Sequence, residues 1–168
     1  FDDAACNRKS VQIALHYLGA DYTVASDPET LIAADRVIFP GVGEARAAMD
    51  DLSRRGMDEA LRLVSKKGMP LLGICIGAQV LLQHSAERDT ACLGLVSGRV
   101  IPLPEPNAAD RLKVPHMGWN QVKQIRDHSL FDGIPDRSSF YFVHSFFPEP
   151  ADEEVVIGTT EYLSLIHI

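Results

Sequence analysis

The stretch Leu71-Leu72-Gly73-Ile74-Cys75-Ile76-Gly77-Ala78-Gln79 joins an apolar run, a Gly-x-Cys-x-Gly centre and a helix-forming continuation. This is the pattern of a nucleophile elbow with a thiol in the nucleophile's place. In such an elbow the nucleophile sits on a sharp, strained strand-to-helix turn. The residues two before and two after it must be small, because strand and helix cross closely there. Gly73 and Gly77 meet that demand. A sulfur at the amino end of the following helix lies in a field that favours thiolate over thiol, and the amide of Ile76 would point at a developing oxyanion. The same residues also fit a buried structural cysteine whose glycines merely turn the chain. Cys6 and Cys92 have no such setting and read as inert. A second glycine loop, Pro40-Gly41-Val42-Gly43, follows another apolar run and so falls at the same carboxyl edge of a sheet, where open α/β sheets place their ligands. Its amides could complete an oxyanion hole, or it could be a plain turn. It lacks the Lys and Ser/Thr of a P-loop and the third glycine of a dinucleotide fingerprint.

The elements that must hold these loops follow from periodicity. Val11, Ala14, Leu15 and Leu18 form one stripe of a helix over 7–18, stopped by Gly19. A short strand over 21–25, a helix start at Asp27-Pro28-Glu29 and a buried strand over 36–39 come next. Amphipathic helices over 45–52 and 57–65, a strand over 70–74 and a helix over 78–84 continue the alternation. The pattern predicts an α/β fold with a mostly parallel central sheet covered by helices on both faces, flavodoxin-like in class. The second half is strand-rich, with strands expected over 95–103, 119–125, 140–146 and 155–160.

Composition bounds the rest. A chain of 168 residues has room for one domain and a sizeable core, and 46% apolar with 23% charged residues excludes wholesale disorder. With 16 Lys and Arg against 23 Asp and Glu, the net charge of -7 disfavours nucleic acid and anionic membranes as partners. Three cysteines without a C-x-x-C pair suggest neither a disulfide framework nor a zinc site, so no metal or cofactor is expected. No apolar run is long enough for a membrane span and no signal peptide opens the chain, which predicts a cytoplasmic protein.

Four blocks in order, Pro40-Gly41-Val42-Gly43, Gly73-Ile74-Cys75-Ile76-Gly77-Ala78-Gln79, Pro115-His116-Met117-Gly118-Trp119-Asn120 and Tyr141-Phe142-Val143-His144-Ser145-Phe146, resemble the class I (triad) glutamine amidotransferases. Within that class the resemblance is to the glutaminase-subunit (HisH) family of imidazole glycerol phosphate synthase. The elbow carries the class, and the Pro-His-Met-Gly-Trp-Asn block carries the narrower family. The resemblance implies that Cys75 attacks the side-chain amide of glutamine, that Val42, Gly43 and Ile76 surround the oxyanion, and that Gly41, Gln79, Ser145 and Phe146 hold the amino acid. It implies that the ammonia passes to a TIM-barrel cyclase subunit of the HisF type, which uses it in histidine biosynthesis. Pro115, His116, Met117, Trp119 and Asn120 would face that partner in a heterodimer. Trp119 suits an interface anchor, with a core tryptophan as the alternative.

The sequence departs from the pattern in one respect that bears on chemistry. The family takes its base and orienting carboxylate from His-Pro-Glu, and the string here, Phe147-Pro148-Glu149, lacks the histidine. His144 reads as a structural histidine on the substrate side rather than a triad member, and His84, His116 and His128 have weaker claims to the base. The resemblance implies a chain shortened at both ends: an amidotransferase domain over 1–162, incomplete, followed by a tail over 163–168 that reads as artefactual. The alternatives are a partner-binding pseudo-enzyme without its base, another cysteine-elbow amidotransferase, or a DJ-1-like hydrolase.

Overall fold

Asp27 caps the start of a helix as its sequence demands: its carboxylate accepts the Thr30 N–H at 2.8 Å, and Pro28 opens the first turn. The computed structural model describes residues 4–106 and 112–167, with side chains from Arg8 onward. The chain divides into two compact units, Phe1–Leu95 and Val96–Ile168.

The first unit runs α1 (Ala4–Tyr17), α2 (Pro28–Ile32), β1 (Val37–Gly41), α3 (Ala45–Arg54), α4 (Met57–Lys66), β2 (Leu71–Cys75), α5 (Ile76–Gln79) and the hairpin β3 (His84–Ser85) and β4 (Thr90–Ala91). Strands β1 and β2 pair in parallel, from Val37 opposite Leu71 to Gly41 opposite Cys75. Helices α3 and α4 are amphipathic. Their inward stripes, Ala45, Met49 and Leu52, then Met57, Ala60, Leu61 and Val64, form the core with Leu31, Val37, Ile76 and Val80. Gly56 joins the two helices at φ 67°, a left-handed conformation glycine adopts without a Cβ penalty.

Two expectations for this unit are corrected, while the helix expected over 7–18 forms as α1. No strand forms over 21–25: the segment is irregular, with Tyr22 and Val24 exposed. The stripe of α1 is only partly buried, Val11 and Leu15 covered and Ala14 and Leu18 open to solvent. The helix expected over 78–84 ends after one turn at Gln79. The carbonyls of Val80, Leu81, Leu82 and Gln83 accept instead from the amides of Leu93, Leu95, Gly94 and Cys92, at 2.9, 2.8, 2.8 and 3.0 Å. A returning chain has taken the acceptors a longer helix would use.

The second unit is built of β5 (Gly98–Pro102), β6 (His116–Gln121), β7 (Lys123–Gln124), β8 (Ser139–His144), β9 (Phe146–Pro150), β10 (Gly158–Tyr162) and β11 (Ser164–His167). Strand β6 pairs antiparallel with β8, β5 with β9, and β10 with both β7 and β11. Leu103, Phe147 and Ile166 centre a small core. The strand expected over 119–125 is broken at Val122, whose N–H turns to the Ser138 carbonyl at 3.0 Å while its own carbonyl accepts from Arg137. The strand expected over 140–146 is broken at Ser145, where the chain leaves β6 and begins to pair with β5. The α/β class holds. Among the described residues the parallel pairing lies in β1 and β2, and no helix is long and apolar enough to cross a membrane.

Candidate active site

Cys75 is the last residue of β2 and the residue before α5, at φ 58° and ψ -123°, and it is exposed. A non-glycine residue with positive φ stores strain of about 1 to 3 kcal/mol and persists only where its surroundings hold it. Three glycines do the holding. A Cβ on Gly77 would lie 1.9 Å from the Phe39 carbonyl oxygen, one on Gly73 2.6 Å from the Ala78 Cα, and one on Gly41 2.6 Å from the Gly77 N. All three obstacles are backbone atoms, so α5 can cross β1 and β2 this closely only if no side chain intervenes.

The register puts Gly41 directly opposite Cys75, so Val42 and Gly43 leave the sheet beside the sulfur-bearing turn. Val42 is exposed and Gly43 has φ 92°. Ile76 and Gln79 are buried in the single turn that follows. The structure therefore brings Gly41, Val42, Gly43, Cys75, Ile76 and Gln79 to one edge of the β1–β2 pair.

A clamp missed by the sequence reading fixes the far side of this loop. Glu44, the residue before α3, makes no side-chain cap. The cap comes from Glu87 in the β3–β4 turn, whose carboxylate accepts the Ala45 N–H at 2.7 Å. Arg88 pairs with Glu44 at 2.9 Å, and Arg46 donates to the carbonyls of Arg88 and Asp89 at 2.6 and 2.8 Å. The one available signal was the poor capping residue at position 44. Nothing local could name a partner 42 residues away. Cys92 is buried, its thiol 3.5 Å from the Thr90 carbonyl, and burial pushes its pKa up, which fits the inert reading. Cys6 lies outside the residues whose side chains are described.

In the second unit β6 and β8 alternate with period two. Met117 and Trp119 point outward, 61% and 72% exposed, opposite Val143 and Tyr141. The Trp119 and Tyr141 rings meet edge to face at 5.6 Å. The tryptophan is no core residue. His116 departs from the expected partner-facing set: it is 2% exposed, because its place one residue before Met117 turns it to the other face. There it stacks on Tyr162 at 3.8 Å and on Phe142 at 4.7 Å. Pro115 is exposed, and the Asn120 side-chain amide donates to the Glu161 carbonyl at 3.0 Å. Ser145 and Phe146 are half-buried and line an open groove of about 830 Å³ with Pro102–Pro106, Lys113 and Val114. His144 stands directly opposite His116. Burial, and then the neighbouring His144, lower the His116 pKa to about 4; burial also lowers that of His144. Among the described residues no three His, Cys, Asp or Glu side chains gather as a metal would require.

The family model described as glutamine amidotransferase class-I matches residues 4–167. The chain belongs to the class I glutamine amidotransferases. Within them it belongs to the HisH family. It is 46% identical over 157 residues to the imidazole glycerol phosphate synthase subunit HisH of Dehalococcoides mccartyi strain CBDB1, covering 93% of this chain and 74% of that one. The HisH subunits of Chromobacterium violaceum and Moorella thermoacetica are 47% and 49% identical, with 73% and 72% of their lengths covered. A solved structure described as a glutamine amidotransferase aligns with a TM-score of 0.67 over 94% of this chain and 81% of its own. At 17% identity that likeness shows the fold alone.

Proposed function

We propose that this amidotransferase chain hydrolyses glutamine to glutamate and ammonia, and that the ammonia is handed to a TIM-barrel cyclase subunit of the HisF type making imidazole glycerol phosphate in the cytoplasm. The observation that carries the reading is the strained, exposed Cys75 with Gly41 opposite it. The Cys75 sulfur attacks the glutamine side-chain carbon, the thiol proton passes to the leaving nitrogen, and the amides of Val42, Gly43 and Ile76 take the oxyanion. The tetrahedral intermediate collapses with loss of ammonia, and water hydrolyses the thioester. Gly41, Gln79, Ser145 and Phe146 hold the amino acid. The outward face of β6 and β8, with Met117, Trp119, Tyr141 and Val143, is the docking surface, an exposed apolar cluster of the kind that marks interfaces. The names of the relatives, subunits of a synthase, support a partner.

The 168 residues contain no His-Pro-Glu, so the reaction is tested in the parent protein read from its gene, mixed with the cyclase. Cys75→Ser is expected to abolish glutamine turnover while ammonia-dependent synthesis by the partner continues. Retained turnover in that variant refutes the assignment of the nucleophile. A wild-type parent that binds the cyclase and turns over no glutamine is a partner-binding pseudo-enzyme.

A further inference from the structure

His116, buried, and His144, half-buried, are joined side chain to side chain across β6 and β8. Nδ1 of His116 lies 3.1 Å from Nε2 of His144, and Nδ1 of His144 lies 3.0 Å from the Phe146 carbonyl oxygen. The proton positions follow from the acceptor at one end of the chain. A carbonyl only accepts, so His144 carries its proton on Nδ1. In a neutral ring its Nε2 is then bare and accepts, so His116 must carry its proton on Nδ1. The pKa directions given above keep both rings neutral at neutral pH, and the order stands. The His116 ring is held for this bond by its stacks on Tyr162 and Phe142. Tyr162 is itself fixed, its hydroxyl donating to the Lys113 carbonyl at 2.7 Å and accepting the Lys113 N–H at 3.2 Å.

Both ends of this chain of bonds lie beside residues with proposed roles. His116 is the backbone neighbour of Met117 on the strand that bears Trp119. The last bond spans Ser145, where the chain passes from its pairing with β6 to its pairing with β5, and the Ser145 carbonyl accepts the Leu103 N–H at 2.8 Å. We propose that His116 and His144 act as one proton-ordered positioning pair that sets the Ser145–Phe146 segment and through it how tightly glutamine is held. The inference rests on the reading that Ser145 and Phe146 bind glutamine. Both histidines act through this segment.

Two variants separate the hydrogen bond from the stack. His116→Phe keeps an aromatic ring and removes the donor; His116→Asn places an amide N–H near the site of Nδ1 and removes the ring. In the parent protein complexed with its cyclase, His116→Phe is expected to raise KM for glutamine about tenfold with kcat changed less than about twofold, as loss of a buried bond to a positioning group predicts. His116→Asn is expected to stay within about threefold of wild type. A purely structural role for the ring predicts the reverse order. Wild-type KM in the Phe variant, or an Asn variant as weak as the Phe variant, overturns the inference while leaving the glutaminase reading intact. Absence of glutamine turnover in the wild-type complex defeats that reading and this inference with it. Where a variant fails to fold, nitrogen-15 shifts of the wild-type protein decide: a proton on Nδ1 of His116 is expected, and one on Nε2 overturns the pair.

Discussion

At Cys75 a side chain occupies backbone space that favours glycine, and the neighbours that allow it are glycines whose missing Cβ atoms would strike main chain. That arrangement was readable in the sequence, since Gly-x-Cys-x-Gly after an apolar run has a single steric meaning at a strand-to-helix crossing. The environment of His116 was not readable. Its block suggested an outward residue, and only the two-residue alternation of β6, fixed by pairing with β8, turns it inward. The inward position has a pH consequence. The native pKa of His116 is about 4 against an ordinary 6.5, so the unfolded chain binds the extra proton more readily. This contribution to stability is complete above about 6.5 and is lost as the pH falls toward 4, with an upper size of roughly 3 kcal/mol. His144, also lowered, acts with the same sign. The carboxylates held low by their partners, Asp51 by Arg54 and Arg55 and Asp58 by the Glu59 N–H, Ser53 and Arg62, add their loss only at still lower pH. Urea melts from pH 7.5 to 4.5 should therefore show falling stability in the wild type and a flatter profile in His116→Phe. Equal slopes would remove His116 as the cause.

Among the elements, helices α3 and α4 were legible because their apolar stripes repeat at the helical period, and β1 and β2 because each is an apolar run that leads into glycine-bearing sequence. The strands beyond residue 95 were placed only approximately, since their breaks at Val122 and Ser145 are set by carbonyls and amides engaged across the fold. The cap on α3 escaped for the same reason. Glu87→Ala removes that cap and is expected to cost about 1 kcal/mol in a denaturant melt. Its greater effect should fall on the Pro40–Gly43 loop, which loses a tether at the start of α3, so turnover of the parent complex should drop further than the stability change explains. A melt and a rate both at wild-type values would show the clamp to be idle. On the outward face of β6, Trp119→Ala is expected to weaken cyclase binding by about 2 kcal/mol or more, the size of an interface anchor. Unchanged affinity in a folded variant, measured by calorimetry, would take Trp119 out of the interface.

Over the whole molecule, each unit exposes more large apolar surface than a solitary soluble domain needs. In the first, Tyr17 is 88% and Leu18 73% exposed, with Ile13, Tyr22 and Val24 also uncovered. In the second the Met117, Trp119, Tyr141 and Val143 cluster is open. A net charge of -7 opposes association but does not cover such surface. The 168-residue chain by itself is therefore expected to self-associate and to bind a hydrophobic dye strongly, and the cyclase should suppress only the part contributed by the second unit. A monodisperse monomer with a cooperative melt and no dye binding would contradict this.

The alternation along β6 also bears on which changes this stretch can accumulate over time. Exchanges of one residue for another act on one face at a time: a change at Trp119 touches docking, a change at His116 touches the buried pair. A gain or loss of a single codon between Pro115 and Gln121 shifts every later residue to the opposite face, sending tryptophan inward and the polar residues between outward. The block should therefore vary in composition across descendants of this gene while its length stays constant.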